Sequence, residues 1–200
     1  HRMSTNHFNE LAPGHGLQGV LPDHRGRMLA VGSFCRLDHS TLAILGPSER
    51  DKLPSWFERY IFSEDITIED LYPEIAMVDL FGPQALILSH QVLDIDLEMV
   101  SNHHLIGVND SPMPWFIRTD RGGMPGVRVL APADQLKSIW TKLQNAGAVP
   151  MGEQIWDTCR IEAGIPLPDH ELTELYNPWE AGLGQAIHMD KGCYIGQEVI

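Results

Sequence analysis

Asp190-Lys191-Gly192-Cys193-Tyr194-Ile195-Gly196-Gln197-Glu198 gathers a thiol, an ammonium group, two carboxylates, an amide and a phenol into nine residues. Ordinary packing has no need of that mixture. Gly192 and Gly196, four apart, let the backbone approach a ligand closely or take a positive φ. Lys191, two residues before Cys193, sets a cation near the sulfur, and a nearby cation favours the nucleophilic thiolate. The chemistry open to this run is therefore that of a reactive thiol. The same residues also read as a turn entering a strand, with Cys193 a small buried hydrophobe and Lys191 in solvent.

The remaining candidates are weaker. Cys35, Cys159 and Cys193 are odd in number, far apart and without a Cys-x-x-Cys pair, which reads as reduced thiols in a cytosolic, hence cytoplasmic, setting and not as a disulfide framework or zinc site. His103-His104 are adjacent, and neighbours in a regular element cannot both face one metal, so the pair reads as solvated loop and no metal is expected.

Charge narrows the partners. The formal net charge of −13 comes from 27 acids against 14 bases spread along 200 residues. Such a surface repels a phosphate backbone, which argues against broad nucleic-acid binding, while a small anion needs only one local basic pocket. No apolar run approaches the roughly 18 residues of a membrane span, and no cationic start leads into an apolar stretch. A content of 43% hydrophobic and 20% charged residues is that of a folded globular chain.

The elements that must position these groups follow from periodicity. His1-Arg2 ahead of Met3 reads as a cloning remnant, and residues 1–24, rich in Gly, Pro, His and Asn, as a flexible arm. Arg27 to Leu37 and Thr41 to Leu45 predict a strand pair turning at Asp38-His39-Ser40. Pro47-Ser48-Glu49-Arg50-Asp51 predicts a helix capped by Ser48, with Leu53, Trp56, Phe57, Tyr60 and Ile61 forming its core stripe. Asp65 to Asp70 and Ile75 to Phe81 predict strands, and Gly82-Pro83 opens a buried helix to Val92. Glu98 to Asp110 gives no clear pattern. Trp115 to Thr119 and Gly126 to Leu130 predict a second strand pair around Gly122-Gly123. Pro132 to Gly147 and Glu153 to Ala163 predict helices; in the second, Ile155, Cys159 and Ala163 lie four apart, which reads as a core stripe with Cys159 inert.

The strand-helix-strand-strand pattern thus occurs twice, over residues 25–110 and 111–200. Two α+β units with antiparallel sheets are expected, not a doubly wound parallel sheet.

Lys191-Gly192-Cys193-Tyr194-x-Gly196-Gln197-Glu198 resembles the signature of the folate-binding YgfZ-type proteins, relatives of the aminomethyltransferase (T-protein) of the glycine cleavage system. Upstream, Arg160-Ile161-Glu162-Ala163-Gly164-Ile165-Pro166, Glu171-Leu172-Thr173 and Asn177-Pro178-Trp179-Glu180-Ala181-Gly182-Leu183 resemble the same family in the same order. The likeness is close from Arg160 to Ile200 and looser, but in register, between Leu21 and Pro132. It implies intertwined α+β units around a central folate pocket, with tetrahydrofolate as cofactor. In relatives a strand and helix precede the first unit and a small β-barrel follows Glu198, so both are expected to be absent here.

The resemblance also implies roles. Arg160 matches the family's pocket arginine, whose fork suits the folate tail or a ring carbonyl; its other reading is a surface charge at a helix end. Glu162 is either a pterin anchor or a neighbour facing away. Tyr194, Gln197 and Glu198 are expected to join these two in holding folate, and Cys193 with Lys191 to form the reactive pair.

Aminomethyl transfer, the relative's reaction, needs acids that this chain lacks. The transferase has an Asp-Asp pair after the strand that resembles Gly26-Arg27-Met28-Leu29, where Ala30-Val31 stand here. Its Gly-Glu-x-Gly segment is replaced by Gly123-Met124-Pro125-Gly126. Ala, Val and Met can neither take up a proton nor accept a pterin N–H. Its closing Phe-Ile-Gly-x-Glu run has no counterpart of Cys193. The expected function is therefore tetrahydrofolate binding in support of assembly or repair of iron–sulfur enzymes, including those that thiolate tRNA, with iron–sulfur proteins as partners. Since one cysteine cannot hold a cluster, any cluster role of Cys193 is shared, and buried packing remains its third reading. The alternative is one-carbon transfer with a carboxylate from elsewhere, Asp23 or Asp120.

Overall fold

Val20 pairs with Val31 and Cys35 with Leu42, which fixes β1 (Gly16–Pro22), β2 (Met28–Arg36) and β3 (Thr41–Ile44) as an antiparallel sheet in the order β1-β2-β3. The computed structural model describes residues 1–106 and 113–200. Alternation along β2 sends Val31 into a buried cluster with Val20 and sends Ala30 and Phe34 into another with Leu21, Leu53 and Trp56; the register shift that pairs Leu21 with Ala30 but Pro22 with Met28 brings Met28 round to the face of Val31. Leu53 and Trp56 come from the short helix α1 (Leu53–Glu58). It is preceded by a separate 3-10 turn at Pro47–Glu49, where Glu49, not Ser48, turns its carboxylate back onto the Gly46 N–H. Tyr60, expected in the core stripe, is exposed beyond the helix end.

The arm expected over residues 1–24 contains β1, and its start is part of the fold. Thr5 is fully buried; its Oγ1 accepts from the Val20 N–H and donates to the Ala186 carbonyl at 2.6 Å. Arg2 and His1, expected to be extraneous, offer their carbonyls to Ile195 N–H and Lys191 Nζ. Glycine weakened the strand pattern of β1, yet Gly16 is needed there: a Cβ would stand 2.0 Å from the His103 carbonyl oxygen.

The second sheet runs β4 (Ile75–Phe81), β7 (Met124–Pro132), β6 (Trp115–Arg121), β5 (Leu105–Ile106), all antiparallel. β6 and β7 form a hairpin through Gly122 and Gly123, both at positive φ (56° and 72°), as a tight turn of this hand requires. Val127, Val129 and Ala131 point to one face, where Leu136, Ile139 and Leu143 of α3 (Ala133–Asn145) cover them beside α2 (Ala85–Leu93). Ile117 and Leu130 point to the other face and meet Cys35 and Leu42, so one apolar cluster joins the two sheets. The fold is α+β, as expected.

Two further expected features differ. Asp65–Asp70 forms no strand: Ile66 and Ile68 are exposed and no sheet edge receives them. In α4 (Glu153–Glu162) the expected apolar stripe is not core. Ile155 and Ile161 are each 59% exposed and Cys159 is half-buried, while the one buried side chain of the helix is Arg160. The expected unit boundary at Asp110 lies outside the described residues.

Candidate functional site

The β6–β7 turn and the last turns of α4 enclose a cavity of about 260 Å³ lined by Gly122, Gly123, Met124, Cys159, Glu162 and Ala163. Helix α4 is held against the hairpin by aromatic contacts. Trp156 meets Phe81 of β4 edge-on at 5.4 Å, and the Arg121 guanidinium lies 4.5 Å over its ring. Glu162 is exposed and lines the cavity, so its carboxylate is available to accept N–H donors from a bound molecule. Met124 lines it too, and supplies no acid.

Arg160 does not join this cavity's lining. Its Nε donates to Asp157 at 2.6 Å and its NH1 to Glu171 at 2.8 Å and to the Ile165 carbonyl at 3.4 Å. These bonds tie α4 to the loop that follows, and the expectation of a surface charge is corrected: the side chain is 3% exposed. Two of its three guanidinium nitrogens, Nε and NH1, are thus engaged by the protein itself.

A second arginine system lies next to the cavity. Asp79 of β4 faces Arg128 of β7 and takes a bidentate pair at 2.7 and 2.8 Å. Burial pushes the Asp79 carboxyl up, but the bonds and charge of Arg128, with Arg121 adding to them, hold it below the ordinary carboxylate range. Arg121 approaches the same carboxylate, Nε to Oδ2 at 3.2 Å, without the alignment of a hydrogen bond, and this Nε is buried with no partner among the described residues. No local pattern signals this group, because Asp79, Arg121 and Arg128 lie on three different strands.

The terminal signature lies elsewhere. Lys191 is 5% exposed, and its Nζ donates to the carbonyls of His1, Ser4 and Asn6 at 2.7, 2.5 and 2.7 Å. Burial lowers it to about 8. The solvated lysine of one sequence reading is thus replaced by a buried one that straps residues 1–6 to the signature. All three N–H groups are committed to carbonyls, so what remains for Cys193 is the through-space effect of the charge. Cys193 is exposed, which removes the buried-packing reading. The Tyr194 ring centroid is 5.1 Å from Lys191 Nζ, and Gln197 Oε1 accepts from the Tyr194 N–H at 3.4 Å. Glu198 and Gln197 are exposed. Gly196, at φ 77°, passes so close to the Asp23 carbonyl that a Cβ would stand 2.3 Å from it. Among the described residues, no hydrogen bond or ion pair joins Lys191, Cys193, Tyr194, Gln197 or Glu198 to Arg160 or Glu162.

The acids weighed for one-carbon transfer are engaged. Asp23 accepts from the Arg25 and Arg27 N–H groups and pairs with Arg25; Asp120 pairs with Arg118 at 2.7 Å. Ala30 and Val31 are buried in the first sheet. A second cavity, of about 250 Å³, borders Glu49, whose carboxylate burial pushes up while the Val31 and Gly46 N–H groups hold it in place.

His103 is not solvated. Its Nδ1 lies 2.8 Å from Ser33 Oγ, its backbone is at φ 66°, and burial first, then Arg128, lowers its ring to about 4. His104 stacks on His15 at 4.3 Å. No group of three or more metal-ligating side chains suited to an ion occurs among the described residues. No helix among them is long and apolar enough to cross a membrane.

The family described as the GCVT N-terminal domain matches residues 1–191. The aminomethyltransferase of Herpetosiphon aurantiacus is 32% identical over 160 residues, covering 80% of this chain and 44% of that protein. The aminomethyltransferase of Synechococcus elongatus is 35% identical over 198 residues, covering 95% and 52%. In three dimensions, the glycine cleavage system aminomethyltransferase T from Bartonella henselae superposes with a TM-score of 0.81 over 98% of this chain and 55% of that one, at 18% identity. The chain spans about half the length of the curated relatives it matches.

Proposed function

The chain belongs to the GCVT N-terminal domain family, that of the glycine-cleavage T-proteins, and on that premise we propose that it is a tetrahydrofolate-binding protein that supports the assembly or repair of iron–sulfur enzymes, with Cys193 as its reactive group. The observation that carries this reading is the lining of one cavity by Glu162 together with Met124. Glu162 can accept the N–H donors of a pterin edge in place of the pterin-holding acid that Met124 replaces, whereas the buried Ala30 and Val31, standing where the transferase has its Asp-Asp pair, supply no acid. The pocket then keeps the means to hold a folate and lacks a group to move a proton at the bridging nitrogen. When bound, tetrahydrofolate supplies one-carbon carrier chemistry; the residues here orient its ring.

The exposed Cys193 supports the thiol half of the reading. A single thiolate can lend one ligand to a cluster or attack one electrophile, and a partner iron–sulfur protein must supply the rest.

A second reading, an aminomethyltransferase-like one-carbon transfer enzyme, is favoured by relatives of that name at 32–35% identity. Calorimetric titration of the protein with tetrahydrofolate, followed by incubation with an aminomethyl donor, separates the two. Binding without release of methylene-tetrahydrofolate is expected; release establishes the second reading. Absence of heat at about millimolar ligand removes folate from both.

A further inference from the structure

Two guanidinium groups, Arg121 and Arg128, share the single carboxylate of Asp79. Arg128 has the aligned, bidentate half of that arrangement, so the Asp79 charge is already balanced by a well-made pair. Arg121 is then a surplus cation, three-quarters withdrawn from solvent at the side chain, with a buried Nε–H that bonds to nothing among the described residues. A buried charge without its own counter-charge, and a buried donor without an acceptor, both cost stability. Arg118, on the opposite face of β6, also has a buried Nε–H without a partner among the described residues, but its charge is balanced by Asp120 and its NH1 donates to the Thr119 and Gly126 carbonyls.

The surplus lies beside the cavity. Gly122, the next residue in the chain, and Met124, the cross-strand partner of Arg121, both line it. The guanidinium is stacked on Trp156, whose ring edge comes within 3.7 Å of the point where a Gly122 Cβ would be. Stacking fixes the plane of the fork without consuming its N–H groups. The resemblance assigned this role to Arg160, but that residue does not line the cavity, and its Nε and NH1 are committed to Asp157, Glu171 and the Ile165 carbonyl.

We propose that Arg121 is the ligand-binding guanidinium of this cavity, receiving an acceptor oxygen of the bound folate while Glu162 receives the ligand's N–H donors. The cavity would thereby read a donor edge and an acceptor oxygen on one molecule. The inference rests on the folate reading above and adds the residue that recognises oxygen. The oxygen is either the pterin ring carbonyl or a carboxylate of the glutamate tail, and the two are separable by fragments.

The test uses the full chain as wild type, Arg121→Met and Arg121→Lys. Each is titrated with tetrahydrofolate, with 6-methyltetrahydropterin (ring only) and with p-aminobenzoyl-glutamate (tail only), and each is melted without ligand. Arg121→Met is expected to lose about 10-fold or more in tetrahydrofolate affinity, the worth of a charged hydrogen bond, and Arg121→Lys to lose less. The fragment whose affinity falls with it carries the oxygen. Without ligand, Arg121→Met is expected to melt close to wild type, because it leaves Asp79 and Arg128 as a balanced pair and replaces the stacking on Trp156 with a thioether–aromatic contact. A ligand-free variant that melts well below wild type, or fails to fold, makes Arg121 a structural counter-ion and overturns the proposal. So does binding by Arg121→Met within about twofold of wild type, with the folate reading intact. Failure of the wild type to bind tetrahydrofolate removes both.

Discussion

The Lys191 ammonium lies 2.7 Å from the carbonyl oxygen of Asn6, 185 residues away in sequence, and bonds to His1 and Ser4 as well. The same strap includes Ile195 N–H on Arg2 O and His188 N–H on Thr5 O. The first residues and the terminal signature are therefore one structural unit.

Lys191→Met removes the donor and leaves buried carbonyls without partners, so it should lower unfolding stability by about 2–3 kcal/mol in a urea titration at neutral pH. Proteolysis should then cut within residues 1–6 at protease levels the wild type withstands. An unchanged urea midpoint would mean that the strap holds without the ammonium.

The thiols should separate by reactivity. Cys35 is buried and its thiol is pushed up to about 12, whereas Cys193 is exposed. Iodoacetamide on the folded protein should label Cys193 and spare Cys35, as read by peptide mass spectrometry. Cys159, which lines the cavity, should be labelled more slowly once tetrahydrofolate is present. Labelling of Cys159 that ignores saturating ligand would place the ligand elsewhere.

Glu162→Gln keeps the size of the side chain and halves its acceptors while adding donors that face the ligand's own. Tetrahydrofolate affinity should fall about 10-fold, with melting temperature unchanged because Glu162 is exposed. Calorimetry compares the two proteins directly, and equal affinities would leave Glu162 as a bystander on the cavity rim.

His103 sets a pH dependence. Its ring is lowered from the ordinary 6.5 to about 4, chiefly by burial, with Arg128 and His104 acting the same way and Asp120 opposing. Between pH 6.5 and 4 the unfolded chain takes up a proton that the folded chain refuses, so stability present above pH 6.5 is lost as pH falls through this window, by up to about 3 kcal/mol. His103→Asn tolerates the positive φ and should flatten that part of the urea-midpoint profile. A profile as steep as the wild type's would assign the acid sensitivity to other groups.

What could be read from sequence was local. β2, β4, the β6–β7 hairpin and α3 follow from alternation, turn glycines and helical spacing, and the α+β class follows from their order. The family likeness rested on runs of specified residues, and the GCVT N-terminal domain match over residues 1–191 bears out its T-protein superfamily part. Where local signals misled, tertiary contacts explain it. β1 carries two glycines, of which close packing requires Gly16; Ile66 and Ile68 alternate without finding an edge; and α4 turns its isoleucines outward because its buried face is organised around Arg160.

The sequence by itself determined which groups exist: the thiol of Cys193, the carboxylate of Glu162, and side chains without acid function at Ala30, Val31 and Met124. Only the tertiary structure decided which of them meet. Charge pairing and burial act through space, so Lys191 went to the carbonyls of His1, Ser4 and Asn6, and Arg160 to Asp157 and Glu171. Arg121, silent in the sequence, was left beside the cavity because β4, β6 and β7 bring two arginines to one aspartate.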